Sequence, residues 1–233
     1  MERLDKVISA TGKKSRREVK DMVRQGRILV DGKIAAAADM KVDPLLAEIL
    51  LDGEPLCYEK FTYIMLHKPA GVLSAVEDRK QKTVLDLLPP ELQKRGLSPV
   101  GRLDKDTEGL LLLTNDGELT HKLLSPKYHV DKVYYAKVDG CLERADIEAF
   151  AAGMTLGDGL ECLPAGLEIL SDSEALVTLH EGKFHQVKRM LAARGKPVLY
   201  LKRLRMGPLY LDENLPCGAY RPLHEEEIKS LRE

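Results

Sequence analysis

A polar stretch, Gly101-Arg-Leu-Asp-Lys-Asp-Thr-Glu-Gly109, runs without a break into four consecutive leucines, Leu110 to Leu113. A strand of that composition has no alternation of apolar and polar positions, so it is buried on both faces. A strand so deep in a core anchors the loop before it, and a rigid loop can hold reactive groups in a fixed geometry. Within this loop Asp104, Asp106 and Glu108 crowd together. A carboxylate serves as nucleophile, general base or metal ligand according to its neighbours. Spacing alone leaves these roles open, together with the plainer reading of an acidic, solvent-facing turn.

With 233 residues the chain has room for one large domain and a small appendage. Leu4, Val7 and Ile8 recur at helical spacing, and Ser15-Arg-Arg-Glu18 reads as a capping box that opens a second helix through about Gln25, with Gly26 as its stop. Arg27 to Ile34 then forms two short strand-like runs around Asp31-Gly32, a pair suited to a tight hairpin turn. Beyond Pro55 the pattern changes. Strands are expected at Tyr63 to Leu66, Gly109 to Thr114, Lys132 to Val138, Ala175 to His180 and Val198 to Met206. Helices are expected near Glu118 to Leu124, Arg144 to Ala151, Gln186 to Arg194 and Glu225 to Leu231. The fold class is therefore α+β: a two-helix plus hairpin module over 1–58, then a domain over 59–233 with a mixed, largely antiparallel sheet flanked by helices.

The formal net charge of -1 gives no global attraction to a polyanion, so any nucleic-acid contact depends on local clustering. From Met1 to Lys41 there are eleven Lys and Arg against six Asp and Glu. On the second helix Val19, Met22 and Val23 fall on one side and Arg17, Lys20 and Arg24 on another. Most charged stripes are merely solvated. Here, however, two helices followed by Gly-Arg-Ile-Leu-Val-Asp-Gly-Lys resemble the small RNA-binding module named after the fourth protein of the small ribosomal subunit, over about Met1 to Glu54. The resemblance implies that Arg17, Lys20 and Arg24 dock on RNA.

The four cysteines form no CxxC pair, which argues against a structural zinc site and a disulfide scaffold and for a reducing cytoplasm. Neither a leader with a small-residue cleavage site nor an apolar run of membrane-spanning length is present, so a soluble, unexported protein without membrane contact is expected. The six histidines are dispersed, leaving only the carboxylates for a hard ion such as magnesium. No phosphate-binding GxxxxGK[ST] loop or dinucleotide-binding GxGxxG follows a strand. These absences favour chemistry with neither metal nor cofactor.

The loop Gly101-Arg-Leu-Asp-Lys-Asp-Thr-Glu-Gly109 is similar to the signature loop of the pseudouridine synthases that act on ribosomal RNA. Three further blocks agree in order with that family: His67-Lys-Pro-Ala-Gly71, Lys132-Val-Tyr134, and Glu181-Gly-Lys-Phe-His-Gln-Val-Lys-Arg-Met190. The resemblance implies that Asp104 is the essential carboxylate, with Asp106 and Glu108 supporting the loop. It makes Tyr134, rather than its strand neighbour Tyr135, the platform on which the target uracil stacks. Lys188 becomes the cationic partner of Asp104, at a position where relatives often carry arginine. Arg102 is given a contact with the nucleotide and Lys68 one with RNA. His67, where asparagine is common in similar sequences, is read as a polar loop residue without chemistry.

The expected activity is isomerisation of a flipped-out uridine to pseudouridine in 16S rRNA, free or in an assembling small subunit, by a cytoplasmic monomer with no cofactor. Two alternatives stay within RNA biology: a 23S rRNA enzyme of the same family, and a non-catalytic RNA-binding assembly factor. A third is a magnesium-dependent phosphoryl-transfer enzyme with Asp104, Asp106 and Glu108 as ligands.

Overall fold

The computed structural model describes residues 1–56 and 58–233; Cys57, one of the four cysteines weighed above, lies outside the described residues. By internal contacts the chain divides into two units, Met1–Thr62 with Leu88–Leu97, and Tyr63–Leu87 with Ser98–Glu233. The segment Leu88–Leu97 is thus a return to the first unit that a single cut at 58/59 does not include.

The first unit opens with helices α1 (Leu4–Ala10) and α2 (Arg16–Arg24). The Ser15 hydroxyl accepts from the Glu18 N–H at 3.3 Å, and the Glu18 carboxylate accepts from the Ser15 N–H at 2.7 Å. This capping box satisfies two donors that a helix start leaves without intrahelical partners. At the other end the N–H groups of Gly26 and Arg27 reach the carbonyls of Val23 and Met22, each at 3.0 Å, closing a Schellman turn. Strands β1 (Ile28–Val30) and β2 (Lys33–Ile34) follow across Asp31 and Gly32, whose φ values of 51° and 75° give the two-residue turn that matches strand twist. With β3 (Ile49–Leu51) and β4 (Glu54–Pro55) they form a sheet in the order β2-β1-β3-β4. Leu4, Val7, Ile8, Val19, Met22 and Ile28 share one core, while Arg17, Lys20 and Arg24 are exposed.

The second unit is built on a nine-stranded sheet. Its main strands are β5 (Tyr63–Lys68), β6 (Glu108–Thr114), β7 (Lys132–Val138), β8 (Gly166–Ser171), β9 (Glu174–Leu179), β10 (Val198–Met206) and β11 (Tyr220–Pro222), in the order β8-β9-β7-β10-β6-β5-β11. Only β6 and β10 pair in parallel along this path. Leu110 to Leu113 are each 0% exposed, as a strand buried on both faces requires. Helices α3 (Gly117–Leu124), α4 (Arg144–Ala152), α5 (Gln186–Ala193) and α6 (Glu225–Arg232) complete the unit, with α4 packed on β8 and α5 on β10.

Two edge strands, β8 and β11, go beyond the sequence reading. In β8 only Leu167 is buried, and β11 is three residues long and ends in proline, so neither carries a readable alternation. Strand β5 extends two residues further than expected. His67 is therefore a buried strand residue whose Nδ1 lies 2.8 Å from the Leu215 carbonyl, which corrects its reading as a loop residue. Among the described residues no helix is long and apolar enough to cross a membrane.

Candidate active site

The acidic loop is held from below by Lys68. This side chain is 0% exposed, and its ammonium donates to the carbonyls of Pro69 (3.0 Å), Asp104 (3.1 Å), Lys105 (3.2 Å) and Thr107 (2.9 Å). The expectation that Lys68 contacts RNA is thereby corrected: a fully buried cation with its donors committed to backbone has no surface to offer a ligand. Burial pulls its pKa down to about 8, against the opposing pull of Asp106, Asp104 and Glu108. Ser74 fixes the other side of the loop, accepting from the Leu103 N–H at 3.0 Å while donating to the Leu103 carbonyl at 2.9 Å. The Gly71 N–H reaches the Lys105 carbonyl at 2.7 Å.

Gly109 closes the loop onto the sheet. It pairs with Arg203 of β10 at a φ of 106°, and a Cβ there would lie 2.2 Å from the Arg203 carbonyl oxygen. Only glycine satisfies both the backbone conformation and the close approach. The sequence Thr-Glu-Gly thus ends where two backbones meet.

On this support the Asp104 carboxylate faces an open cleft of about 1070 Å³. Lys188 of α5 places its ammonium 3.0 Å from Asp104 Oδ2 and 2.5 Å from Asp106 Oδ1. Burial works against the Lys188 charge, but the hydrogen bonds with Asp106 and Asp104 outweigh it and raise its pKa above the ordinary lysine value. Asp106, hydrogen-bonded to Lys188, is held below the usual carboxylate range. On the other side His185 brings Nε2 to 3.4 Å from Asp104 Oδ1, and its ring stacks on Phe184 with centroids 3.8 Å apart.

Tyr134 lies on the buried face of β7, 8% exposed, and lines the same cleft. Tyr135 points the opposite way, as strand geometry demands, and meets Tyr200 edge-on with centroids 6.1 Å apart. Arg102 is exposed at the cleft wall. Asp104, Tyr134, Lys188 and Arg102 therefore come together, whereas Arg17, Lys20 and Arg24 lie on α2 in the first unit, where Arg24 pairs with Asp21 at 3.3 Å.

The three loop acids do not converge. Asp106 shares the Lys188 ammonium with Asp104, while Glu108 turns away and accepts from the Tyr200 hydroxyl at 2.8 Å. Among the described residues no group of three or more His, Cys, Asp or Glu is placed to hold a metal ion. Three further residues beside the cleft, His185, Lys132 and Arg203, were given no role from the sequence. His185 and Lys132 stand inside blocks already singled out. Arg203, in Leu-Lys-Arg-Leu-Arg-Met, is buried although nothing in the local sequence sets it apart from Lys202 and Arg205.

The family model for RNA pseudouridylate synthases matches residues 62–193, and the S4 domain model matches residues 2–44. The chain is 42% identical over 231 residues to ribosomal small subunit pseudouridine synthase A of Pseudomonas aeruginosa, covering 98% of this chain and 100% of that protein. It is 39% identical over 238 residues to ribosomal large subunit pseudouridine synthase B of Bacillus subtilis, covering 100% and 96%. A crystal structure of a pseudouridylate synthase aligns with a TM-score of 0.70 at 37% identity, over 99% of this chain and 100% of that one.

Proposed function

The chain belongs to the RNA pseudouridylate synthase family, and from that premise we propose that it isomerises one uridine of small-subunit ribosomal RNA to pseudouridine, with Asp104 as the essential carboxylate. The reaction breaks the N1–C1′ bond, turns the uracil while it is held, and joins C5 to C1′. The C5 hydrogen leaves as a proton and N1 gains one, so no atom is added or lost overall and no cofactor is called for. Such an exchange needs a carboxylate beside the sugar and base, and a surface on which a detached uracil can turn. The observation that carries the reading is the Asp104 carboxylate, 3.0 Å from the Lys188 ammonium, in a cleft it shares with Tyr134.

A stacked uridine is out of reach, so the target is flipped from its RNA fold at a cost of roughly a few kcal/mol. Stacking on Tyr134 offsets on the order of 1–3 kcal/mol of this, and phosphate contacts supply the rest. Arg102 at the cleft wall suits the nucleotide, and the exposed Arg17, Lys20 and Arg24 suit the surrounding RNA backbone. The small-subunit assignment rests on the short N-terminal module, the form of the Gly101 to Gly109 loop and the likeness to the small-subunit enzyme. The same reading gives a cytoplasmic monomer that meets 16S rRNA or an assembling particle.

The test is to incubate the protein with 16S and 23S rRNA from cells that lack it and to map pseudouridine by chemical termination. One new stop in 16S rRNA is expected. A stop confined to 23S rRNA would move the enzyme to the large subunit, and no stop in either would overturn the activity.

A further inference from the structure

Among the described residues, two buried cations beside the cleft have no carboxylate in ion-pair contact. Arg203 stands directly across from Tyr134 in the β7–β10 pairing and is 2% exposed. Its Nε donates to the Leu110 carbonyl at 2.8 Å, while its buried Nη2 has no hydrogen-bond partner. Lys132, two residues before Tyr134 and on the same face of β7, is 7% exposed and donates to the Val130 carbonyl at 2.9 Å. Both residues line the cleft.

The carboxylates around them are engaged elsewhere. Asp104 is held by Lys188 and His185, Glu181 by Lys183 at 3.0 Å, and Asp131 by His180 at 2.8 Å and Arg205 at 3.2 Å. Keeping an unpaired charge out of water is unfavourable, so two such charges side by side are most stable once an anion joins them. Burial, and after it the charge of Arg203, holds the Lys132 ammonium below the ordinary lysine range.

We infer that Arg203 and Lys132 form an anion subsite beside Tyr134 whose ligand is the uracil ring in its negatively charged, detached form. This rests on the proposed function. When N1–C1′ opens heterolytically the bonding pair stays on the uracil, spread over N1, O2 and O4, and C1′ becomes the electrophile. Attack of C5 on C1′ returns that pair to a carbon–carbon bond; the C5 proton then leaves and N1 is protonated. A ring lying on Tyr134 sits next to both cations, because Arg203 is the cross-strand neighbour of Tyr134 and Lys132 shares its face. A phosphodiester stays outside a flipped base, nearer the exposed Arg102. Fixed charges in a water-poor wall act on charge as it develops, without reorganising.

The experiment compares calorimetric binding of uracil, neutral at neutral pH, with that of 5-nitrouracil, an anion there. The wild type is expected to prefer the anion by about tenfold or more; Arg203→Met and Lys132→Met lose the preference and Arg203→Lys keeps it. Equal affinities in the wild type, or displacement of the anion by inorganic phosphate, would overturn the subsite. Should Arg203→Met fail to fold, the wild-type comparison and Lys132→Met decide. A single-turnover arm uses RNA with uridine or 5-fluorouridine at the target and follows loss of the starting nucleotide, the fluorine making the departing ring less basic; because C5 of the fluorinated ring has no proton to lose, its C5–C1′ product is completed by addition of water across C6–N1. Arg203→Met is expected to slow consumption of uridine about 100-fold and that of 5-fluorouridine far less. Equal losses on the two RNAs would point to a merely structural arginine and overturn the inference. If the wild type modifies no rRNA, the proposed activity falls, and the binding arm still judges the subsite.

Discussion

At the scale of single residues, Lys68 commits a full positive charge to the shape of one loop. In Lys68→Met four carbonyls lose a donor, and a buried acceptor left bare costs about 1–3 kcal/mol. The variant is expected to melt lower and to lose about 100-fold in rate, while RNA affinity in filter binding stays within a few-fold because no part of Lys68 reaches solvent. A wild-type rate would contradict the clamp. Lys188 differs in kind, since it touches Asp104 itself. Lys188→Ala is expected to lower the single-turnover rate about 100-fold, and Lys188→Arg to recover most of it. Because the native Lys188 pKa is raised, its pairing persists from neutral pH upward and is lost only as pH climbs through that raised value. The alkaline limb of the wild-type profile therefore does not bend on its account below the ordinary lysine range. A Lys188→Ala variant at full rate would remove this residue from the site.

At the scale of elements, helix α4 is pinned through Asp146, which is 0% exposed. Its carboxylate meets Arg194 at 2.9 Å, Lys196 at 2.6 Å and the Glu143 N–H at 2.9 Å. Burial opposes the charge, but these partners outweigh it and hold the pKa below the aspartate norm. The stabilisation is therefore present above the unfolded-state value of about 3.9 and is lost as pH falls through the lowered native one. Asp146→Asn is expected to cost roughly 3 kcal/mol at pH 7 in urea unfolding, with the gap closing only in strong acid. A pH-independent gap would contradict the assignment. Elements with strong local signals were legible: Lys132 to Val138 and Val198 to Met206 were bounded as they stand, and Ser15 to Glu18 opens α2. The site was legible as a set of neighbours where residues stand in motifs, as with Asp104, Tyr134 and Lys188, which the structure brings together. It was illegible where tertiary burial decided, since nothing local distinguishes the buried Lys68 and Arg203 from solvent-facing basic residues.

At the scale of the whole molecule, a net charge of -1 coexists with a basic N-terminal module, so affinity for RNA is a local property. Neutralising Arg17, Lys20 and Arg24 together is expected to weaken binding to all RNA sequences and to flatten its salt dependence by about three phosphate contacts. The rate at saturating RNA should hold. An unchanged salt slope would make this face merely solvated.

In the proposed reaction one carboxylate at the cleft performs the isomerisation, and Asp104→Asn removes it. The substitution keeps size and removes charge. Tritium release from RNA labelled at C5 of uridine, followed under single-turnover conditions, is expected to vanish in this variant while RNA affinity stays within a few-fold of wild type. Tritium release at the wild-type rate would take Asp104 out of the reaction.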